Sequence, residues 1–543
     1  AGGNVLVTNE GLMRYANLPT PLAEPPFRAV APDLARASSL SVIQLASDGS
    51  LSANVSDVPM DRAPDGKLRV GGAHPSAIVV SPDQAYAYVA MSNVDRVATV
   101  ALRPSPHVVG GAELRLYGSG PFGTQPDALA LSRDGKRLYV ALAGLNAVAI
   151  LDASVPRRLR RVGLLPTGWY PSALVLSADD RLLFVANAKG AGEDAGFQGD
   201  APTAQSGDRI LQVSADSNAI WSTLQCIDLS GVNLRLTTRA ALSYQHVTHP
   251  LTGNPIVPQT FSTRGSTKIK HVVFILEESK TYDSMLGDLT DIAGRPYGPG
   301  DPSLVAYDQS VTPNLHALAR TYALAGNFYA DAEESDAGHQ FAAAGTASVY
   351  TEKTLLLKEG RAPLDNANED PEDYPRSGFI FNSLATAKAS FRDYGDFIRV
   401  SGYDDGNARD STIDDPGATG GDDVVSRTTG VGGTYSLDAP ALAALNGHLD
   451  PNYPGWNLHI RDVRRAREFL RDFDTLVRRG HMPAFTYIWL PDDHGGTGPN
   501  IPPLPEEVAD GDRALGMIVE YLTHLREWRH TAIFVTPDDA QST

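Results

Sequence analysis

The stretch HVVFILEES, residues 271–279, is an apolar, β-branched run that stops abruptly at carboxylates, and the pattern returns in FTYIWLPDDH (485–494) and TAIFVTPDDA (531–540). Such continuous runs read as strands of a parallel sheet buried on both faces, and ligands of open α/β sheets bind beyond the carboxyl ends of those strands. Three acidic strand ends converging there predict a cage for metal ions.

Helical patterns alternate with these runs. In TPNLHALARTYA (312–323) Leu315, Leu318, Ala319 and Tyr322 fall at helical spacing, with Thr312 as the expected N-cap and Pro313 in the first turn. RDVRRAREFLRDFDTLVRR (461–479) places Val463, Ala466, Phe469, Leu470, Phe473 and Val477 on one face. Its arginines read as a solvated face, with a phosphate-binding surface as the alternative. RALGMIVEYLTHLREW (513–528) is a further amphipathic helix, leading into the last strand. Strand and helix in alternation give a three-layer α/β domain from Lys268 onward.

The N-terminal half repeats itself. HPSAIVVSPDQAYAYVAMSN (74–93), QPDALALSRDGKRLYVALAG (125–144) and YPSALVLSADDRLLFVANAK (170–189) each carry a proline, an alternating strand, a Ser-x-Asp turn and a second strand. Third strands follow as DRVATVAL, NAVAILDA and, after an insert, STLQCIDLS, and SVIQLASDG at 41–49 matches the same element of an earlier unit. Pro75, Pro126 and Pro171 lie 51 and 45 residues apart. A period of roughly 40 to 50 residues built from short strands indicates β-propeller blades, about four of them, with a β-sandwich as the rival. The pattern resembles the seven-bladed YVTN type of surface-layer and YncE-like proteins. On that resemblance the propeller is incomplete at its N-terminal side.

The expected organisation is therefore a propeller over 1–245, a linker over 246–267 and an α/β domain over 268–543. Residues 190–215 read as a blade insertion and 401–435 as a solvated loop, with a lid as the alternative for the latter. His246 and His249 are either linker histidines or a metal pair.

The chain has 543 residues, enough for two or more domains, and its 46 basic against 64 acidic side chains leave a formal charge of −18. That balance argues against non-specific binding to nucleic acid or anionic membrane. Cys226 is the single cysteine, so neither an internal disulfide nor a zinc–thiolate cluster can form. No apolar stretch approaches the roughly 18 to 20 residues that cross a bilayer.

The segment NFYADAEESDAGHQF (327–341) sets Ser335 four residues before His339, with Gly338 between. It lacks the G-x-S-x-G elbow of a Ser-His-Asp hydrolase, so activation of the hydroxyl by a cation is the economical reading. Asp336 as nucleophile, or no covalent step, remain as alternatives.

Together KHVVFILEESKTYDSMLGD, VTPNLHALA, NFYADAEESDAGHQ, YGDF (394–397), LPDDHGGTG and IFVTPDDAQ resemble the bacterial phosphoesterase family of the alkaline phosphatase superfamily, which includes phospholipases C and metal-dependent acid phosphatases. The resemblance implies a hydrolase of phosphomonoesters or phosphodiesters, periplasmic or secreted, with Ser335 as nucleophile and His339 as a nearby site histidine. It implies metal ligation by Glu278, Ser279, Ser335, Asp493, His494, Asp538 and Asp539, with two divalent ions drawn from zinc, manganese, iron, calcium or magnesium. The family's first strand ends Glu-Asn, so Ser279 departs from it. The family also continues past the third acidic strand, so the domain is expected to be incomplete at its C-terminal side. Substrates would be small phosphate esters or phospholipid headgroups, and the propeller would take a protein or polysaccharide partner. A non-catalytic binding protein on a degenerate phosphoesterase scaffold is the second reading.

Overall fold

The structure, a computed structural model, describes residues 3–10, 13–16, 28–32, 38–46, 48–61, 72–116, 122–190, 222–245, 266, 268–326, 328, 330, 332, 335–354, 375–397, 399–400, 435–436, 444–450, 452–456, 458, 460–495 and 501–540. His246, His249, the insert after residue 190 and the loop 401–434 lie outside the described residues. The chain divides into two compact units, residues 1–251 with 346–378, and residues 252–345 with 379–543.

The first unit is a stack of antiparallel sheets, and each sequence repeat supplies one. Strands Pro75–Val80, Tyr86–Met91, Arg96–Ala101 and His107–Glu113 form one four-stranded sheet; Pro126–Leu131, Arg137–Leu142, Ala147–Asp152 and Arg160–Pro166 form the next. Pro171–Leu176, Leu182–Asn187 and Thr223–Asp228 make a three-stranded sheet, as do Asn4–Asn9, Ser39–Leu45 and Leu51–Pro59. These are propeller blades. Ser39–Leu45 lies between its two neighbours, the place that 96–101 and 147–152 hold in the complete blades.

The repeated Ser-x-Asp has one physical cause. Ser81 Oγ donates to Asp83 Oδ1 at 2.6 Å and accepts from the Tyr86 amide at 2.9 Å. Ser132 repeats this with Asp134 (2.7 Å) and Arg137 (2.9 Å), and Ser177 with Asp179 (2.6 Å) and Leu182 (2.8 Å). A side-chain turn of this kind closes the hairpin without using a ladder group. Between the blades lie apolar layers, such as Tyr88, Val97, Leu138, Val140 and Leu151.

Helix Leu234–Tyr244, which the sequence reading did not place, packs on the blade strand Arg160–Pro166, where Thr238 Oγ1 accepts from the Leu164 amide at 2.8 Å. Its signal was present in Asn233, whose side chain caps the helix by accepting from Leu236 N.

The second unit is built on a parallel sheet in the order Phe391–Tyr394, Phe485–Leu490, His271–Glu277, Thr531–Pro537. Every residue of Phe485–Leu490 is buried, as a strand covered on both faces requires. One face packs Val273, Ile275, Ile488 and Leu490 against Ala466, Phe469 and Phe473 of helix Asp462–Arg478 and against Leu515, Ile518 and Leu522 of helix Leu504–Thr523. On the other, Tyr487 stacks on Phe274 and meets Phe381 of helix Ile380–Ala387. Among the described residues, no helix is long and apolar enough to cross a membrane.

Three local expectations are corrected. Thr312 occupies the N-cap position but makes no capping bond; Asp512, on a different helix, accepts from the Asn314 and Leu315 amides at 3.0 and 2.7 Å instead. His316, which its place in TPNLHAL suggests lies on the helix surface, is instead fully buried, held by Thr312 O at 2.8 Å and Asp288 Oδ1 at 3.1 Å. The arginines of helix 462–478 are not uniformly solvated: Arg465 is fully buried and bonds Asp462 Oδ1 (3.0 Å), Asp492 Oδ1 (3.1 Å) and the Pro454 and Gly455 carbonyls.

Candidate functional site

Parallel strands all end on one side, so register alone brings the acidic ends of 271–277 and 531–537 together. The Asp538 amide donates to Glu277 O at 3.0 Å, and Asp538 Oδ1 accepts from the amides of Ser279 and Asp539, both at 2.8 Å. One carboxylate oxygen thereby fixes both strand ends. The other, Asp538 Oδ2, is buried without a hydrogen-bond partner.

Helix Ser335–Ala344 lies across these ends. Ser335 and His339, four residues apart, share a face of it. Gly338 permits the approach, since a Cβ there would stand 2.3 Å from the Asp538 carbonyl oxygen. His339 Nε2 then lies 3.4 Å from Glu278 Oε1 and 3.7 Å from Asp538 Oδ2. Ser335 Oγ is 3.1 Å from Asp539 Oδ2, 3.4 Å from Glu278 Oε2 and 3.3 Å from Ser279 Oγ. Trp489 Nε1 donates to Glu278 Oε1 at 2.8 Å, which holds that carboxylate from the neighbouring strand.

The predicted residues are thus gathered unequally. Glu278, Ser279, Ser335, His339, Asp538 and Asp539 form one connected group. Asp493 is buried with its Oδ1 unpartnered, and helix 504–523 runs so close that a Cβ at Gly511 would come within 2.6 Å of that oxygen. His494 is exposed, stands edge-on to Trp456 and approaches Gly495 O with Nδ1 at 2.8 Å. These two reach Glu278 through charge and not through a hydrogen bond. Asp492 serves the scaffold instead: it accepts from the Asp462 amide at 2.7 Å, while Asp462 accepts from the Asp492 amide at 3.1 Å, tying a strand end to a helix start.

Two residues near this group escaped the sequence reading. Lys280 is buried, donates to Ser279 O at 2.9 Å and sits in the field of Asp493, Glu278, Asp539 and Asp538. Asp396, in the quoted YGDF, places Oδ2 at 2.9 Å from His339 Nδ1. Lys280 was legible only as the residue following Glu278-Ser279; nothing in the sequence pairs Asp396 with a histidine 57 positions away.

Electrostatics follow from burial. Desolvation of Asp538, then Glu278 and Asp539 beside it, push its carboxyl well above the usual range. Asp493 is raised for the same first reason, then by Glu277. Burial works to raise Glu278 as well, but bonding and charge from His339 hold it below the ordinary glutamate value. For His339, burial favours the neutral ring, yet Asp396 and Glu278 outweigh it and the imidazole is raised well above its usual value. Buried carboxylates in excess over buried cations cost free energy until protons or a metal neutralise them. Oxygens of Glu278 and Asp538 and a nitrogen of His339 all lie within 4.8 Å of one another, a donor set that fits a divalent cation, and the orphaned Asp538 Oδ2 is the atom such an ion would satisfy.

A comparison with curated proteins finds no match. Among solved structures, the chain is similar to hydrazine synthase of Kuenenia stuttgartiensis (24% identity, TM-score 0.19, covering 24% of this chain and 33% of that one). It is also similar to a Lactobacillus plantarum protein (20%, TM-score 0.26, 39% and 51%) and to the periplasmic gluconolactonase of Pseudomonas aeruginosa (25%, TM-score 0.22, 27% and 43%). The chain thus spans a third to about half of the length of these structures. Residues 297–542 match the model of the Phosphoesterase family.

Proposed function

We propose that the second unit hydrolyses phosphate esters by nucleophilic attack of Ser335, with divalent metal held by Glu278, His339, Asp538 and Asp539. The observation that carries this reading is the placement of a half-buried hydroxyl 3.1 Å from Asp539 Oδ2 and 3.4 Å from Glu278 Oε2, beside the orphaned Asp538 Oδ2. A divalent cation bound there supplies positive charge that lowers the pKa of a nearby hydroxyl and offsets the charge of a phosphate.

The protein's own groups do the rest. Ser335 Oγ donates its hydrogen toward Asp539 Oδ2, so the oxygen lone pairs face outward for in-line attack on phosphorus. The proton passes to that carboxylate, and the ester oxygen leaves from the opposite side as an alcohol, taking a proton from water. Water then releases the phosphate from Ser335. Ser279 Oγ, 3.3 Å from Ser335 Oγ and 3.4 Å from Asp539 Oδ2, limits the rotamers open to the nucleophile. Lys280 is buried beside four carboxylates; burial lowers its pKa, and the charges of Asp493, Glu278, Asp539 and Asp538 work against that.

Turnover of p-nitrophenyl phosphate and of its choline diester by the full chain, with zinc, manganese or calcium added, tests this. Metal-dependent release of p-nitrophenol is expected from one of the two, and Ser335→Ala is expected to reduce it by at least about 10³-fold. Turnover indifferent to Ser335→Ala removes the serine mechanism; metal binding without turnover of either ester supports the non-catalytic scaffold.

A further inference from the structure

We infer that Asp396 is a positioning residue that makes His339 present the lone pair of Nε2, rather than an N–H, to the metal site. The inference rests on the proposed metal site and deepens it, since it assigns the ligating atom and the group that selects it.

Asp396 lies at the C-terminal side of strand Phe391–Tyr394, the edge strand two positions from His271–Glu277. Two hydrogen-bond contacts hold its carboxylate, and the buried Tyr487 hydroxyl also lies in its field. Oδ1 accepts from the Phe397 amide at 2.8 Å, and Oδ2 lies 2.9 Å from His339 Nδ1. A carboxylate has no hydrogen to give, so Nδ1 must carry the proton. In the neutral ring the lone pair then belongs to Nε2, which lies 3.4 Å from Glu278 Oε1 and 3.7 Å from Asp538 Oδ2. Three acceptors facing one another repel unless a positive charge sits between them, and a cation supplies it. The ring has little freedom to evade this, because Trp489 and Phe397 both stand edge-on to it, at 5.0 and 6.4 Å and each at 84°. Both members of the pair are nearly excluded from water, with side chains 7% and 5% exposed. A nitrogen ligand also biases the site toward zinc and its first-row neighbours and away from calcium or magnesium, which prefer oxygen alone.

The local geometry makes Asp396→Asn a sharp probe. The amide has one oxygen, and the Phe397 N–H claims it; the NH₂ then faces Nδ1 and forces that nitrogen to accept. The tautomer inverts, and Nε2 points a hydrogen into the cage. A charge-only change of small volume therefore removes the ligand without removing the ring.

Zinc affinity of the full chain, measured by chelator competition, reads the effect without recourse to hydrolysis. Asp396→Asn and His339→Ala are each expected to weaken zinc about 10- to 100-fold, the range for losing an outer-shell partner or its ligand. The double variant is expected to be no weaker than His339→Ala alone, because Asp396 acts through the ring. Asp393→Asn is the control for burial: Asp393 is fully buried on the same strand, both its oxygens lack partners, and its variant is expected to bind zinc as the parent does. Zinc binding by Asp396→Asn within threefold of the parent, or losses that multiply in the double variant, overturns the inference. A second readout needs no variant: nitrogen NMR of the zinc-loaded parent should show His339 protonated at Nδ1 and metal-bound at Nε2, and the reverse assignment overturns it. A chain that meets these expectations but cleaves no phosphate ester refutes the hydrolytic reading and leaves the role of Asp396 standing.

Discussion

Asp450 shows what burial beside other carboxylates does to a carboxyl. Its side chain is almost fully excluded from water, and desolvation, followed by the charges of Glu468 and Asp472, pushes it from 3.8 up to about 8. The folded chain therefore holds a proton that the unfolded chain releases near pH 4. Its contribution to stability is complete below pH 4 and is lost as pH rises toward 8. An asparagine at this position would keep the Oδ1 that accepts from the Asn452 amide and would ionise in neither state. Asp450→Asn is therefore expected to be neutral near pH 4 and stabilising by on the order of 1–3 kcal/mol at pH 8, measured by urea unfolding at both values. A gain that shrinks as pH rises would refute it. Nothing in the sequence around Asp450 announces this, and the same holds for Asp396, His316 and Arg465. Their environments come from positions tens of residues away, and the ordinary expectation for a charged side chain is solvent. Glu278, Asp538 and Asp539 were legible for the opposite reason, since each directly follows an apolar strand and strand ends have a fixed place in a parallel sheet.

Helix Ser335–Ala344 turns a sequence spacing into a site. Ser335 and His339 at i and i+4 could be read as sharing a face, but which face meets the cage is decided by Gly338, against the Asp538 backbone. An alanine inside a helix ordinarily gains up to about 1 kcal/mol over glycine. Here the methyl would stand 2.3 Å from the Asp538 oxygen and 2.7 Å from its carbonyl carbon, both backbone atoms that cannot swing aside. Gly338→Ala is expected to reverse the usual sign, lowering the thermal midpoint, and to weaken zinc because Asp538 moves with its backbone. Calorimetry and chelator competition on the same variant check both; a variant more stable than the parent would show that the helix is free to shift. The blade turns were more legible than this helix because the signal repeats, as the same hydroxyl and carboxylate make the same two bonds at Ser81, Ser132 and Ser177. Helix Leu234–Tyr244 has no such repetition and was missed.

The linear order of the chain and its division into compact units differ in one stretch, residues 346–378, which group with the propeller although α/β segments flank them on both sides. Polar contacts are part of the reason. Lys353 Nζ lies 2.5 Å from Asp127 Oδ1, Arg376 bonds Asp61 at 2.5 and 3.1 Å, Glu352 meets Lys189 at 2.9 Å, and Gln125 donates to Thr346 at 3.2 Å. Periodicity cannot show such an attachment, because it uses single charges rather than a repeated apolar pattern. Asp127 is 1% exposed at its side chain, so removing Lys353 strands a carboxylate that burial already holds above its usual range. The cage belongs wholly to the other unit. Domains with separate cores unfold as separate cooperative steps, and a ligand stabilises only the folded form that binds it, by about 2.7 kcal/mol at a hundred times its Kd. Scanning calorimetry of the full chain is therefore expected to show two transitions that respond to different perturbations. Zinc should raise one of them by several degrees and leave the other in place. Lys353→Ala combined with Arg376→Ala should lower the second by a few degrees and leave zinc affinity within twofold of the parent. If zinc and the double variant move the same transition, residues 346–378 contribute to the stability of the unit that carries the cage, and the division of the chain into two independent cores fails.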